Sequence, residues 1–246
     1  MASDKQLCIY CQSAPQEHLD HTFPRNWWPA GIALEVQRLT VPACNACGGR
    51  LKKAEEQAAL AWIMARGFDR DHPAAAGVYE RVRKTWDAAA AKTPRERRHR
   101  LRRQQSILSR VQPVVVPRDA AIGTARVKAR TAAGLIVDAT VALKFHRSDL
   151  DAIGEKFVRG LCHQLFGKLL PLGTTFTAFE PDAKTMQIAG QELPGAEPMK
   201  GFAYRYFEFG DGREFWFFYV WEQVVIGVLV EPPSTGGTDA GGSAGT

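Results

Sequence analysis

The amino-acid sequence predicts an α+β protein: a cysteine-clasped N-terminal module, a basic helical segment, and then an antiparallel sheet with a packed helix. Three observations carry that prediction. Two Cys-x₂-Cys pairs, Cys8/Cys11 and Cys44/Cys47, bracket a turn-rich stretch loaded with His, Pro and Trp. Apolar residues recur at helical spacing after Arg50 and again after His146, whereas segments after Pro113 and after Gly201 are rich in β-branched and aromatic residues. The net charge of +6 is uneven: residues 1–110 hold 19 Lys+Arg against 11 Asp+Glu, and residues 111–246 hold 13 against 15.

Taken in order, the first helix is expected from about Arg50, where Leu51, Ala54, Ala58, Ala61 and Ala65 form one stripe and Gly67 is placed to end it. A second helix is expected from Ala76 to about Ala91. Pro94 then opens a third as its first-turn residue. That third segment carries seven arginines between Arg95 and Arg110 and few apolar residues, namely Leu101, Ile107 and Leu108. Most of its circumference must therefore be solvated or bound to something, and Arg95, Arg97, Arg98, Arg100, Arg102 and Arg103 suit phosphate geometry. PVVVP, TARVKAR and GLIVDATVALKF read as strands. HRSDLDAIGEKFVRGLCHQLFGKL reads as an amphipathic helix with Ser148 or Asp149 at its start and Gly167 at its end. GFAYRYFEF, REFWFFYVW and QVVIGVLVEP read as three adjacent strands with a turn at Gly210–Gly212, and the aromatic run as sheet core.

Domain organisation follows from these textures: a cysteine module over 1–70, a basic helical segment over 71–110, an α+β unit over 111–232 and a disordered Gly/Ser/Thr-rich tail over 233–246. No run approaches the roughly 18 apolar residues of a membrane helix. The start lacks a basic-then-apolar leader, so a cytoplasmic location is expected.

In a reducing compartment, four cysteines paired two by two indicate metal binding rather than cross-linking. Each knuckle chelates from one tight turn, and four thiolates suit a tetrahedral Zn²⁺ whose closed sphere makes it structural. Cys162, in an apolar-periodic stretch, reads as a small buried hydrophobe, and His146 and His163 as ordinary polar residues. The clustered positive charge points to a polyanion.

Between the knuckles, Asp20-His21 followed by Pro24 forms DH-x-x-P, and the second knuckle runs as VPAC-x-x-C into a helix. Together with the paired knuckles, these elements over residues 6–60 resemble the HNH endonuclease family, whose module is a β-hairpin and a helix around a metal centre (ββα-metal). The resemblance implies hydrolysis of a phosphodiester in nucleic acid, with DNA the first expectation, assisted by Mg²⁺ or another divalent cation. It implies His21 as general base, Asp20 as ligand to the catalytic ion and Arg25 as a phosphate clamp. Glu17-His18 is a second acid–His pair, but only His21 has proline three residues later.

One position departs from the family pattern. The Asn or His expected directly after the last knuckle cysteine is Gly48, which has no ligand atom. The sphere is then left to Asn45, Glu55, His18 or water. The alternative is a catalytically weak or inactive zinc module that binds nucleic acid, with Gly48-Gly49 letting backbone N–H groups approach a phosphate. The C-terminal unit loosely resembles the region that follows the nuclease module in bacterial HNH proteins. It is left with a specificity role, a protein partner or homo-oligomerisation.

Overall fold

A short antiparallel strand pair opens the fold: β1 (His18–His21) pairs with β2 (Thr40–Ala43), His18 opposite Ala43 and His21 opposite Thr40. α1 (Asn45–Ile63) follows after one residue. The computed structural model describes residues 6–31, 39–64, 68–113, 124–130, 136–143, 146–181, 184–187, 197–199 and 201–233. Helix α1 starts five residues before the expected Arg50, because Gly48 and Gly49 in its first turns contribute no hydrophobic periodicity. Gly67, its expected stop, lies outside the described residues.

The single helix expected from Ala76 to Ala91 is broken. Gly77 has φ 70°, α2 covers only Val78–Lys84, and separate 3₁₀ turns flank it at Pro73–Ala75 and Ala88–Ala90. Side chains end the helix locally: Thr85 Oγ1 donates to the Val82 carbonyl at 2.7 Å, and Asp87 accepts from the Ala89 N–H at 2.9 Å. Helix α3 (Pro94–Leu108) begins at Pro94 as expected, with Thr93 accepting from the Glu96 N–H. Only Ile107 of its apolar residues is buried, against Leu60 and Ala61 of α1.

Strands β3 (Val111–Pro113), β4 (Thr124–Arg130) and β5 (Ile136–Leu143) form a separate three-stranded sheet in the order β3-β5-β4, not part of one C-terminal sheet. The rest of PVVVP lies outside the described residues. The main sheet is antiparallel and five-stranded, in the order β6 (Thr175–Phe179), β10 (Val224–Glu231), β9 (Glu214–Val220), β8 (Phe202–Glu208), β7 (Glu197–Met199). The aromatic run is sheet core, with Trp216, Phe217, Phe218 and Trp221 buried. The tail beyond Pro233 lies outside the described residues.

Helix α4 (Arg147–Phe166) joins the two halves. Its N-cap is His146 rather than Ser148 or Asp149, and no side chain caps it; Gly167 ends it at φ 62°. It lies between the strand pair and the main sheet. A Cβ at Gly154 would meet Val228 of β10 at 2.9 Å, and one at Gly160 would meet Thr22 at 2.6 Å. Phe23, Trp27, Trp62, Phe157, Phe218 and Trp221 therefore share one core, with Phe23 and Phe157 centroids 4.9 Å apart and Trp27 and Trp221 5.6 Å apart. Trp221 Nε1 also donates to the Trp27 carbonyl at 2.6 Å. No described helix is long and apolar enough to cross a membrane.

Candidate metal centre and cleft

Cys8, Cys11, Cys44 and Cys47 converge, with all four sulfurs within 4.8 Å of one another. The first knuckle closes where Cys8 N–H donates to the Ala14 carbonyl and Gln12 N–H to that of Cys8, Gln12 itself being left-handed at φ 50°. Ile9 N–H donates to the Pro42 carbonyl, which ties that turn to the strand leading into the second knuckle. Cys11 and Cys44 sulfurs are 3.9 Å apart, close to the roughly 3.8 Å edge of a tetrahedron with 2.3 Å metal–sulfur bonds. No disulfide joins them. The N–H groups of Ser13 and Ala14 pull the Cys11 thiol down to about 6, whereas burial pushes Cys8 and Cys47 up. A cation between the sulfurs relieves that burial cost, so this group can bind a metal ion such as zinc.

Beside this centre, β1, the turn after it and the first turns of α1 line a cleft of about 780 Å³. His18, Asp20, His21, Arg25, Asn45 and Gly48 all reach it. The structure thus brings together the residues singled out around the knuckles. Arg25 is exposed on a 3₁₀ turn (Arg25–Trp27). Arg81 of α2 steadies that turn by donating to the carbonyls of Asn26, at 3.2 Å, and Trp28. Lys52 of α1 adds a second exposed cation to the wall.

The two acid–His pairs have different surroundings. Glu17 caps α1: its carboxylate accepts from the Asn45 N–H at 2.6 Å and the Asn45 side-chain amide at 2.9 Å. Glu17 and the Asn45 amide are therefore committed to holding β1 against the helix. Asp20 instead meets a residue that sequence reasoning missed. Lys156 of α4 has a side chain 1% exposed, and its ammonium lies 2.8 Å from Asp20 Oδ2 and also contacts Glu55 Oε1. Tyr10 donates to the same Asp20 oxygen at 3.2 Å. Burial raises the Glu55 carboxyl, and the Lys156 charge pulls against that rise. Burial, then the Asp20 charge, holds the Tyr10 phenol well above its usual range. The sequence did carry a signal for Lys156: with Ile153 and Gly160 it falls in phase on the buried stripe of α4.

Position 48 is filled by another residue. A Cβ built there would stand 2.6 Å from His18 Nε2 and 2.8 Å from its Cε1. His18 Nδ1 is buried without a hydrogen-bond partner among the described residues.

The arginine helix divides in two. Arg100 pairs with Glu96 and donates to the Asp87 carbonyl at 3.0 Å, and Arg103 pairs with Glu56 of α1 at 3.0 Å. Arg95, Arg97, Arg98 and Arg102 carry no such partner within α1 or α3 among the described residues and face outward. Cys162 is buried, which pushes its thiol to about 12. His146 and His163 are not among the residues lining the cleft, and burial lowers the His163 imidazole. In comparisons with protein-family models, curated proteins and solved structures, nothing matches this chain.

Proposed function

We propose that the chain is a metal-dependent endonuclease of the HNH type, hydrolysing phosphodiester bonds of nucleic acid, DNA first among them, on a module held by structural zinc. The observation that carries this reading is the cleft: a hairpin, a helix and a four-cysteine centre bring Asp20, His21, Arg25 and Lys52 to one wall. Arg25 and Lys52 hold the phosphate and set its register. His21 takes the proton from the attacking water, acting as the general base. Arg81, Glu17 and Lys156 keep these groups in place from behind.

The residues of the cleft fit the divalent ion this chemistry uses. Tyr10 and Lys156 both meet Asp20 through Oδ2, which leaves Oδ1 as a hard ligand, and His18 Nε2 stands beside Gly48. One oxygen, one nitrogen and water can hold a divalent cation. Such an ion, when bound, offsets the charge developing on the leaving oxygen.

Nicking of supercoiled plasmid by the zinc-loaded chain tests the reading, with loss of about a hundredfold or more expected in His21→Ala. A second reading is a binder that does not cut, favoured by the Lys156 ammonium already neutralising Asp20. A salt-sensitive shift of DNA on a gel, with no nicking in Mg²⁺ or Mn²⁺, is its signature.

A further inference from the structure

The glycine after the last knuckle cysteine lacks a ligand atom, yet the space its side chain would occupy is not empty. An imidazole from β1 fills it: His18 Nε2 lies 2.6 Å from where a Cβ at position 48 would stand. A Cβ there would push the tip of this imidazole aside, so glycine is what lets His18 keep this place. His18 and Asp20 are two apart on one strand and project to the same face, and both line the cleft.

The other candidates for the missing ligand are each partly held by a neighbour. The Asn45 amide is held by its nitrogen, which donates to Glu17, and Glu55 Oε1 meets the buried Lys156, as Asp20 Oδ2 does. The buried Nδ1 of His18 leaves Nε2 as the nitrogen that faces Gly48. We propose that His18, taking the place vacated at Gly48, is the second protein ligand of the cleft's divalent cation, and that this site selects Mn²⁺ over Mg²⁺. The preference follows from ligand chemistry, because an imidazole nitrogen suits transition ions while Mg²⁺ favours oxygen and water. The proposal rests on the nuclease reading of the cleft and specifies which ion it uses.

The test is a swap, read first as cation binding and only then as cleavage. Mn²⁺ affinity of the full, zinc-loaded chain is measured by electron paramagnetic resonance, with Mg²⁺ as competitor. Zinc content and circular dichroism check that each variant is folded. The unaltered chain should bind Mn²⁺, and His18→Ala should weaken it by at least about tenfold, the loss known even for groups one shell further out. Gly48→Asn alone should also weaken binding, because its Cβ collides with the imidazole. The double variant His18→Ala/Gly48→Asn should recover binding, with preference moved towards Mg²⁺ by the new amide oxygen.

Unchanged Mn²⁺ affinity in folded His18→Ala overturns the assignment, as does a double variant no tighter than His18→Ala. Absence of Mn²⁺ binding by the unaltered chain overturns it too. A chain that binds Mn²⁺ through His18 yet never nicks DNA supports the ligand assignment while removing the nuclease reading. A chain that nicks DNA with His18→Ala unaffected does the reverse.

Discussion

Replacing Lys156 by Met keeps the length and apolar packing of the stem in the core but removes the ammonium between Asp20 and Glu55. With a side chain 1% exposed, Lys156 sits where bulk solvent cannot take over its role. Breaking a buried ion pair from one side costs about 3–5 kcal/mol, because the remaining charge is left without compensation. Here two carboxylates remain. At about 2–4 °C per kcal/mol for a chain of this size, the melting temperature should fall by about 6–20 °C.

The deficit should depend on pH. Burial already raises Glu55, and removing the opposing Lys156 charge raises it further. A carboxyl whose folded pKa lies above its unfolded one stabilises the fold most when protonated, and that contribution is lost as pH rises through the raised value. The cost of Lys156→Met should therefore be larger at pH 8 than at pH 5. Urea unfolding followed by tryptophan fluorescence at both values measures it, since Trp27, Trp62 and Trp221 share the core. A difference under about 1 kcal/mol at pH 8, or one that grows on acidification, refutes the reasoning.

Removing the metal should be more damaging still. Cys44→Ser, or chelation, should abolish stoichiometric zinc and cost more than about 3 kcal/mol, given that structural zinc contributes on the order of 10 kcal/mol in small modules; metal analysis with circular dichroism reads both. On α3, alanine at Arg95, Arg97, Arg98 and Arg102 should leave stability within about 0.5 kcal/mol at each site. The same changes should flatten the salt dependence of DNA binding by about 0.9 in log–log slope for each phosphate no longer neutralised, measured by fluorescence anisotropy across salt concentrations.

Much of the fold was legible because its signals are local. Alternating and aromatic runs marked β8, β9 and β10, and Pro94 marked the start of α3. The errors also have local causes: Gly77, Thr85 and Asp87 divide a stretch that average helix propensity joins together. β6 and β7 escaped because they are short, and register with β10 and β8 is what makes them strands. In the site, the Glu96–Arg100 pair is legible as i,i+4 spacing on α3, whereas Arg103 meets Glu56 of α1, a partner that the sequence of its own helix does not reveal.

By itself the sequence determined that four thiolates close on one centre, since each Cys-x₂-Cys pair chelates from a single turn and needs only its own spacing. It also determined that Asp20, His21 and Gly48 are delivered beside that centre. Only tertiary structure decided what surrounds them. Lys156 reaches Asp20 from 136 residues away because α4 is pinned between sheet and hairpin at Gly154 and Gly160. His18 stands at position 48 because β1 and the first turns of α1 share the cleft, and glycine leaves room for the imidazole tip. Spacing along the chain encodes which face a residue occupies, but which charges meet across that face depends on how separate elements pack.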